Sequence, residues 1–304
     1  IHPYDFIAED FGKPLVVSGF EPLDLLQSVL MVLEQIRDGR RIRNEKILRK
    51  LNEAGAQVSL DHLGEHVADP DAVAEARDDY LRCLDRIRDD HLDANISVKL
   101  TQLGLGLDDD LAVASLRALA ARAAEGGATV TVDMEESELV EKTITAFEAV
   151  QPEYGNLGIA VQSYLYRTPA DLDRIVVRGG HVRLCKGAYA EPARVAYQDT
   201  DRVDVEFAAL TRRLMATPGI APAIATHDTD RIELAKQLSK SRSEPWEFQM
   251  LYGVRTSLQR SLLEDGYPLR VYVPYGTAWY PYLTRRMAER PANLAFFLRA
   301  AVGR

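Results

Sequence analysis

Eight short apolar runs recur along the chain, each opening on aliphatic or β-branched residues and closing on polar ones. They read AQVSLDHLG (56–64), NISVKLTQLG (95–104), ATVTVDMEE (128–136), LGIAVQSYLY (157–166), GHVRLCKGAY (180–189), APAIATHDTD (221–230), WEFQMLYG (246–253) and LRVYVPYG (269–276). Between them lie stretches of helical period. DDDLAVASLRALAARAAEGG carries acids in its first turn and glycines at its end, the usual start and stop signals of a helix. SELVEKTITAFEAV and VDVEFAALTRRLMAT read the same way. Strand alternating with helix eight times predicts the α/β class and a closed (β/α)8 TIM-type barrel. The polar run ends, Asp61, Lys99, Asp133, Gln162, Lys186, His227, Gln249 and Tyr275, favour that barrel over a doubly wound open sheet. In a barrel every C-terminal strand end faces the mouth, whereas in an open sheet only those at the switch point face a ligand.

The first fifty-odd residues stand outside this repeat. Leu26, Val29, Leu30, Leu33 and Ile36 follow helical spacing, and the basic stretch RDGRRIRNEKILRK comes next. The division expected is an N-terminal helical arm over 1–54 and a catalytic barrel over 55–304. Packing of the arm against the barrel is favoured over a membrane-surface or oligomer contact.

Composition narrows the function. The 304 residues are 46% hydrophobic and 27% charged, the balance of a globular protein. A formal net charge of -9 argues against broad binding to nucleic acid or anionic lipid. Two cysteines, Cys83 and Cys185, make no disulfide framework and suit a reducing compartment. The N-terminal IHPYDFIAEDFGKP has acids where a signal peptide would be basic. The longest apolar stretch, LLQSVLMVL, is about half the length of a spanning helix.

Several constellations could carry chemistry. DHLGEH supplies Asp61, His62, Glu65 and His66, and His227 with Asp228 could join them at a metal. The first-strand HxH pattern is missing, however, so no metal is expected. LGLGLDDD lacks the third glycine of a dinucleotide fingerprint and reads as a turn. RLCKGAY puts Arg183 and Lys186 beside Gly187, which suits a phosphate or an electron-rich ring and equally a solvated rim turn. Lys99 and Asp133 end neighbouring runs, and a lysine in an apolar strand needs a counter-charge. In YPYLTRRMAERP, Arg285 and Arg286 are adjacent on a predicted helix, about 100° apart around its axis. Both can reach one anion only if that helix crosses above it; a solvated basic face is the alternative.

These segments together are recognisable. ISVKLTQLG, VDMEES, VQSYLYRT, RLCKGAYAEP, ATHD, EFQMLYG and VYVPYGTAWYPYLTRRMAERPAN, in that order, resemble proline dehydrogenase over about residues 55 to 300. That family includes single-domain bacterial enzymes and a domain of bifunctional proline-utilisation proteins. The resemblance implies a distorted (β/α)8 barrel that binds FAD, with its last helix over the barrel mouth. It implies oxidation of L-proline to Δ1-pyrroline-5-carboxylate, with electrons passing to a membrane quinone. By position it implies that Arg285 and Arg286 clamp the proline carboxylate beside Lys99, and that Tyr272, Tyr282 and Leu251 surround the ring. Asp133 matches an active-site aspartate, and Arg183 an arginine near the flavin's reactive nitrogen. Met134, Gln162, Arg183, Lys186, Gly187, Ala188, Thr226, His227 and Glu289 match FAD contacts. Cys185 stands where the family usually has an aliphatic residue, and the region before about residue 50 matches none of its usual N-terminal helices. The implied location is cytoplasmic, with a peripheral contact to the inner face of the membrane left open, as is the oligomeric state. Two other readings remain beside it: a barrel lyase or aldolase using Lys99 as a Schiff base, and a non-catalytic barrel that binds an anion or amino acid.

Overall fold

The computed structural model describes residues 45–276. Eight parallel strands are ordered β1 to β8 in a closed barrel, as the repeat predicts. They are β1 Gln57–His62, β2 Ala94–Val98, β3 Val130–Val132, β4 Leu157–Gln162, β5 His181–Cys185, β6 Ala221–Ala225, β7 Glu247–Leu251 and β8 Leu269–Tyr275. The helices are α1 Glu45–Glu53, α2 Pro70–Asp89, α3 Asp109–Glu125, α4 Val140–Tyr154, α5 Thr168–Ile175, α6 Thr200–Ala216, α7 Thr229–Ser239 and α8 Thr256–Glu264. The chain divides into two compact units, one of residues 64–249 and one joining 1–63 to 250–304. The expected last helix over the mouth, and the arm before residue 45, lie outside the described residues.

Each strand ends earlier than its apolar run. β2 stops at Val98 and β3 at Val132, which leaves Lys99 and Asp133 just beyond the ladder. Aspartates then start the helices. Asp108 accepts from the Leu111 amide (3.1 Å) at α3, and Asp199 accepts from Asp201 (2.8 Å) and Arg202 (3.1 Å) at α6. Each such cap is worth about 1 kcal/mol because it satisfies a helix-terminal N–H that has no partner within the helix.

Within the larger unit the strands are two-faced, although both faces are buried. The outward set Ile96, Val98, Val130, Val132, Ile159, Val182 and Leu184 is apolar and fully buried. It matches the buried faces of α3 (Leu116, Leu119, Ala123) and α4 (Ile144, Phe147). Each such side chain contributes roughly 1.5–3 kcal/mol of burial. The alternate set is polar or small: Asn95 and Ser97 on β2, Thr131 on β3, Ala160 and Gln162 on β4, Arg183 on β5, Ala223 on β6 and Gln249 on β7. A hydrogen bond from β3 to β5, which are not neighbours, and one from β2 to β3 place this set in the barrel interior. Asn95 donates to the Thr131 hydroxyl (3.3 Å), which also meets His181 Nε2 (2.6 Å). Gly158 makes room there, because a Cβ on it would stand 2.0 Å from the His181 ring.

Candidate active site

The C-terminal strand ends of the larger unit bring three predicted residues together. Asp133 lies at the centre and is 9% exposed. Its Oδ1 accepts from Arg183 Nη1 and from the Ser97 hydroxyl (2.8 Å), and its Oδ2 accepts from Lys99 Nζ at 3.4 Å. Arg183 Nη1 also donates to Ser97 Oγ (2.8 Å), and its Nε donates to Gln249 Oε1. The counter-charge that Lys99 requires is therefore Asp133, which it shares with Arg183.

Gln162 ties two loops together at the same end. Its Nε2 donates to the Glu135 carbonyl (2.9 Å), and its Oε1 accepts from the Ala188 amide (3.2 Å). Gly187 has φ +142, and the space a side chain would take is filled by the Tyr164 ring, 2.4 Å from an ideal Cβ. Lys186 reaches Asp228 (3.2 Å) and Asp204. Burial raises the Asp228 carboxyl, but Lys186 and the Arg231 and Asp230 amides outweigh it and hold the group below its ordinary range. Asp228 is thus both the cap of α7 and the partner of Lys186, with the Thr226 hydroxyl accepting from its amide at 3.1 Å. Met134 is buried, and His227 is half-buried.

In the smaller unit, Leu251 and Tyr272 are both half-buried, and the Tyr252 amide donates to the Tyr272 carbonyl (2.9 Å). Tyr282, Arg285, Arg286 and Glu289 lie outside the described residues.

Four residues at this end had no role in the sequence reading, although Gln249 was among its polar run ends. Ser97 and Gln249 hold Arg183; both sit two positions before a predicted site residue, Lys99 and Leu251, and period-2 alternation was the signal that could have found them. Tyr189, in the loop after β5, is the third. Burial drives its phenol far above the ordinary range, opposed by Lys99 and assisted by Glu135, Glu136 and Glu65. Glu135 is the fourth: it is fully buried and accepts from the Thr101 amide (3.1 Å) and hydroxyl. Glu136 Oε1 meets His66 Nε2 at 3.2 Å, so His66, Glu135 and Glu136 form a small exposed-to-buried cluster.

Burial is also the main influence on Glu135, raising its carboxyl against the Thr101 bonds and the Lys99 charge. A carboxyl raised in the fold lends stability below its unfolded value, and that stability is lost as pH climbs through the raised value. Glu135→Gln keeps an acceptor for the Thr101 amide without the buried charge. Relative to wild type it should therefore gain stability between about pH 4 and about pH 7 in urea unfolding. A variant that is relatively weaker at the higher pH would contradict this.

Comparison with known proteins gives one long likeness. A family model described as proline dehydrogenase matches residues 44–299 and leaves 1–43 outside. Proline dehydrogenase 1 of Bacillus subtilis (strain 168) is 39% identical over 257 residues, 84% of this chain and 85% of that protein. Proline utilization A (PutA) of Bdellovibrio bacteriovorus, solved after inactivation by N-propargylglycine, superposes with a TM-score of 0.75 at 23% identity. That likeness covers 84% of this chain and 32% of PutA, and it bears on the fold alone. A short stretch of 60 residues, 20% of the chain, is 67% identical to part of the hydrogenase maturation factor HypD of Rhodobacter capsulatus.

Proposed function

The chain belongs to the proline dehydrogenase family and oxidises proline, the first step of proline catabolism, and from that premise we propose that it does so as a flavoprotein whose site is the charged cluster around Asp133. The observation that carries this reading is the buried guanidinium of Arg183, fixed by Asp133, Ser97 and Gln249 at the C-terminal strand ends. Family membership sets aside the lyase and binding-only alternatives.

The residues present fit FAD. A fixed cation at Arg183 suits a ring system that gains negative charge on reduction. The second N–H of the Gln162 amide and the ammonium of Lys186, which it shares with Asp204 and Asp228, add donors at the barrel end. Met134, Gln162, Arg183, Lys186, Gly187, Ala188, Thr226, His227 and Glu289 would hold the cofactor. FAD supplies the acceptor for the hydride that leaves the carbon beside the proline nitrogen. Lys99, with Arg285 and Arg286, binds the substrate carboxylate, for which paired guanidinium groups are the natural match. Leu251, Tyr272 and Tyr282 enclose the ring. The amine must lose a proton first. Both Asp133 oxygens already accept from Arg183, Ser97 and Lys99, so Asp133 serves as the anchor of the cations and solvent takes the proton.

The proposed electron acceptor is a membrane quinone, met from the cytoplasmic side. No helix among the described residues is long and apolar enough to cross a membrane. The chain is further read as an N-terminal arm joined to the catalytic barrel. The family match begins at residue 44 and so takes in α1 as well as the strands.

One experiment tests the whole reading. Purified protein should be yellow, and L-proline added without oxygen should bleach it. In Arg285→Met or Arg286→Met the flavin content should hold while the proline needed for half-bleaching rises at least about tenfold, the loss of roughly 1.4 kcal/mol or more of binding. A protein that stays colourless after reconstitution with FAD, or variants that bleach like wild type, would refute it.

A further inference from the structure

Arg183 is held more elaborately than a simple ion pair requires. Its Nη1 meets two acceptors, Asp133 Oδ1 on the β3 side and Ser97 Oγ on β2. Its Nε meets a third, Gln249 Oε1 on β7. Three strands thus grip one guanidinium by two of its nitrogens, and gripping a planar group at two in-plane points fixes its plane as well as its position. The grip has its own support. Gln249 Nε2 donates to Glu247 Oε1 (2.6 Å), which turns the amide so that its oxygen must face Arg183. Ser97 has one proton and gives it to Asp133 (2.8 Å), so its lone pairs are left for the guanidinium. All four groups are buried: Ser97 is 0%, Gln249 3%, Arg183 5% and Asp133 9% exposed. Bonds of this kind to charged groups in a dry setting are strong and strictly oriented.

We propose that Ser97 and Gln249 are positioning residues for the proline oxidation reaction: they lock the plane of Arg183, with Glu247 locking Gln249 in turn, and so set the ease with which the bound flavin is reduced. This inference rests on the flavoprotein reading above. Ser97 and Gln249 act on the flavin through Arg183. A cation held in one orientation stabilises charge that develops on reduction, whereas a cation free to swing loses part of that effect to reorganisation. Neither residue contributes a charge of its own, so their removal changes order at the site while leaving its formal charge intact.

The test is an anaerobic, dye-equilibrated reductive titration of the purified holoenzyme and its Gln249→Met, Ser97→Ala and Ser97→Thr variants. In Gln249→Met and Ser97→Ala the balance of oxidised to reduced flavin should move toward oxidised by roughly tenfold, about 30 mV for a two-electron couple. Under the same conditions kcat should fall by a similar factor, KM for proline should stay within about threefold, and FAD content should be retained. Ser97→Thr keeps the hydroxyl and should return the potential toward wild type. A purely structural role would lower stability without moving the potential. An oxidised-to-reduced ratio within about twofold of wild type, in whichever of Gln249→Met and Ser97→Ala folds, overturns the proposal while the flavoprotein reading stands. A wild-type protein that takes up no FAD overturns both.

Discussion

Asp133→Ala should destabilise the protein by about 3–5 kcal/mol and abolish proline oxidation, with the stability loss read from the urea midpoint at constant slope. The size follows from what the carboxylate holds. Arg183, 5% exposed, and Lys99, whose side chain is 13% exposed, both point at it. Removing the anion leaves two cations facing each other near the end of a closed barrel. Breaking a buried ion pair from one side costs more than the pair itself is worth, because the remaining charge is stranded away from water. Here two are stranded, and Ser97 also loses its acceptor. Asp133→Asn separates structure from chemistry. The amide fills the same space and can accept from one partner while its NH2 opposes another, so a smaller loss of about 2 kcal/mol is expected. If Asp133 is the anchor and solvent takes the substrate proton, the Asn variant should reduce flavin slowly with the governing pKa unmoved. A large shift of that pKa would make Asp133 the base. A loss below about 1 kcal/mol in Asp133→Ala would show that water reaches the two cations and that the network is weaker than its geometry.

Arg242→Ala is the second large effect, and it lies away from the chemistry. Arg242 follows α7 in the stretch SRSEPWEF, where it reads as an ordinary loop charge. In the fold its side chain is 4% exposed and its guanidinium gathers carbonyls at the end of α6 and the entry to β6. Nη1 donates to Met215 O (2.7 Å), Thr217 O (3.1 Å) and Leu214 O (3.4 Å), and Nη2 donates to Ile220 O (2.5 Å). The last carbonyls of a helix have no partners of their own, and a cation there also meets the negative end of the helix dipole. The loss should be about 3 kcal/mol or more, since several buried carbonyls lose a charged donor at once. Arg242→Lys should recover less than half of it. One ammonium cannot span acceptors that two nitrogens of a planar group now serve. Flavin content and KM in the folded fraction should be unchanged. A Lys variant as stable as wild type would show that the charge alone matters.

The two predictions differ in how far the sequence anticipates them. The pairing of Lys99 with Asp133 was legible, because a lysine and an aspartate at the ends of neighbouring apolar runs have few other ways to be buried. The role of Arg242 was not. Besides Glu244 and the Pro245 carbonyl nearby, its partners are backbone carbonyls 22 to 28 positions earlier, and backbone carbonyls leave no mark in a sequence. Tyr189 was hidden for a related reason: its burial depends on groups from separate loops. Lys186 suited a phosphate, an electron-rich ring or a solvated rim turn in the sequence, and in the fold it lies between Asp204 and Asp228. A ligand phosphate must compete with those carboxylates or share the lysine with them.

What the sequence determined by itself was the repeat and the polarity of its ends. Eight apolar runs alternating with helical periods admit few architectures, because each run must bury two faces and each helix one. The aspartates that start α3, α6 and α7 act locally and could be read locally. What only the tertiary structure decided was the interior of the barrel. Asn95, Ser97, Thr131, Arg183 and Gln249 stand on four strands spread over 155 positions, from 95 to 249 counted inclusively, and each alone reads as a polar interruption of an apolar strand. Closing the sheet turns those interruptions inward together, and once water is excluded they can satisfy only one another. The grip on Arg183 is a consequence of that closure.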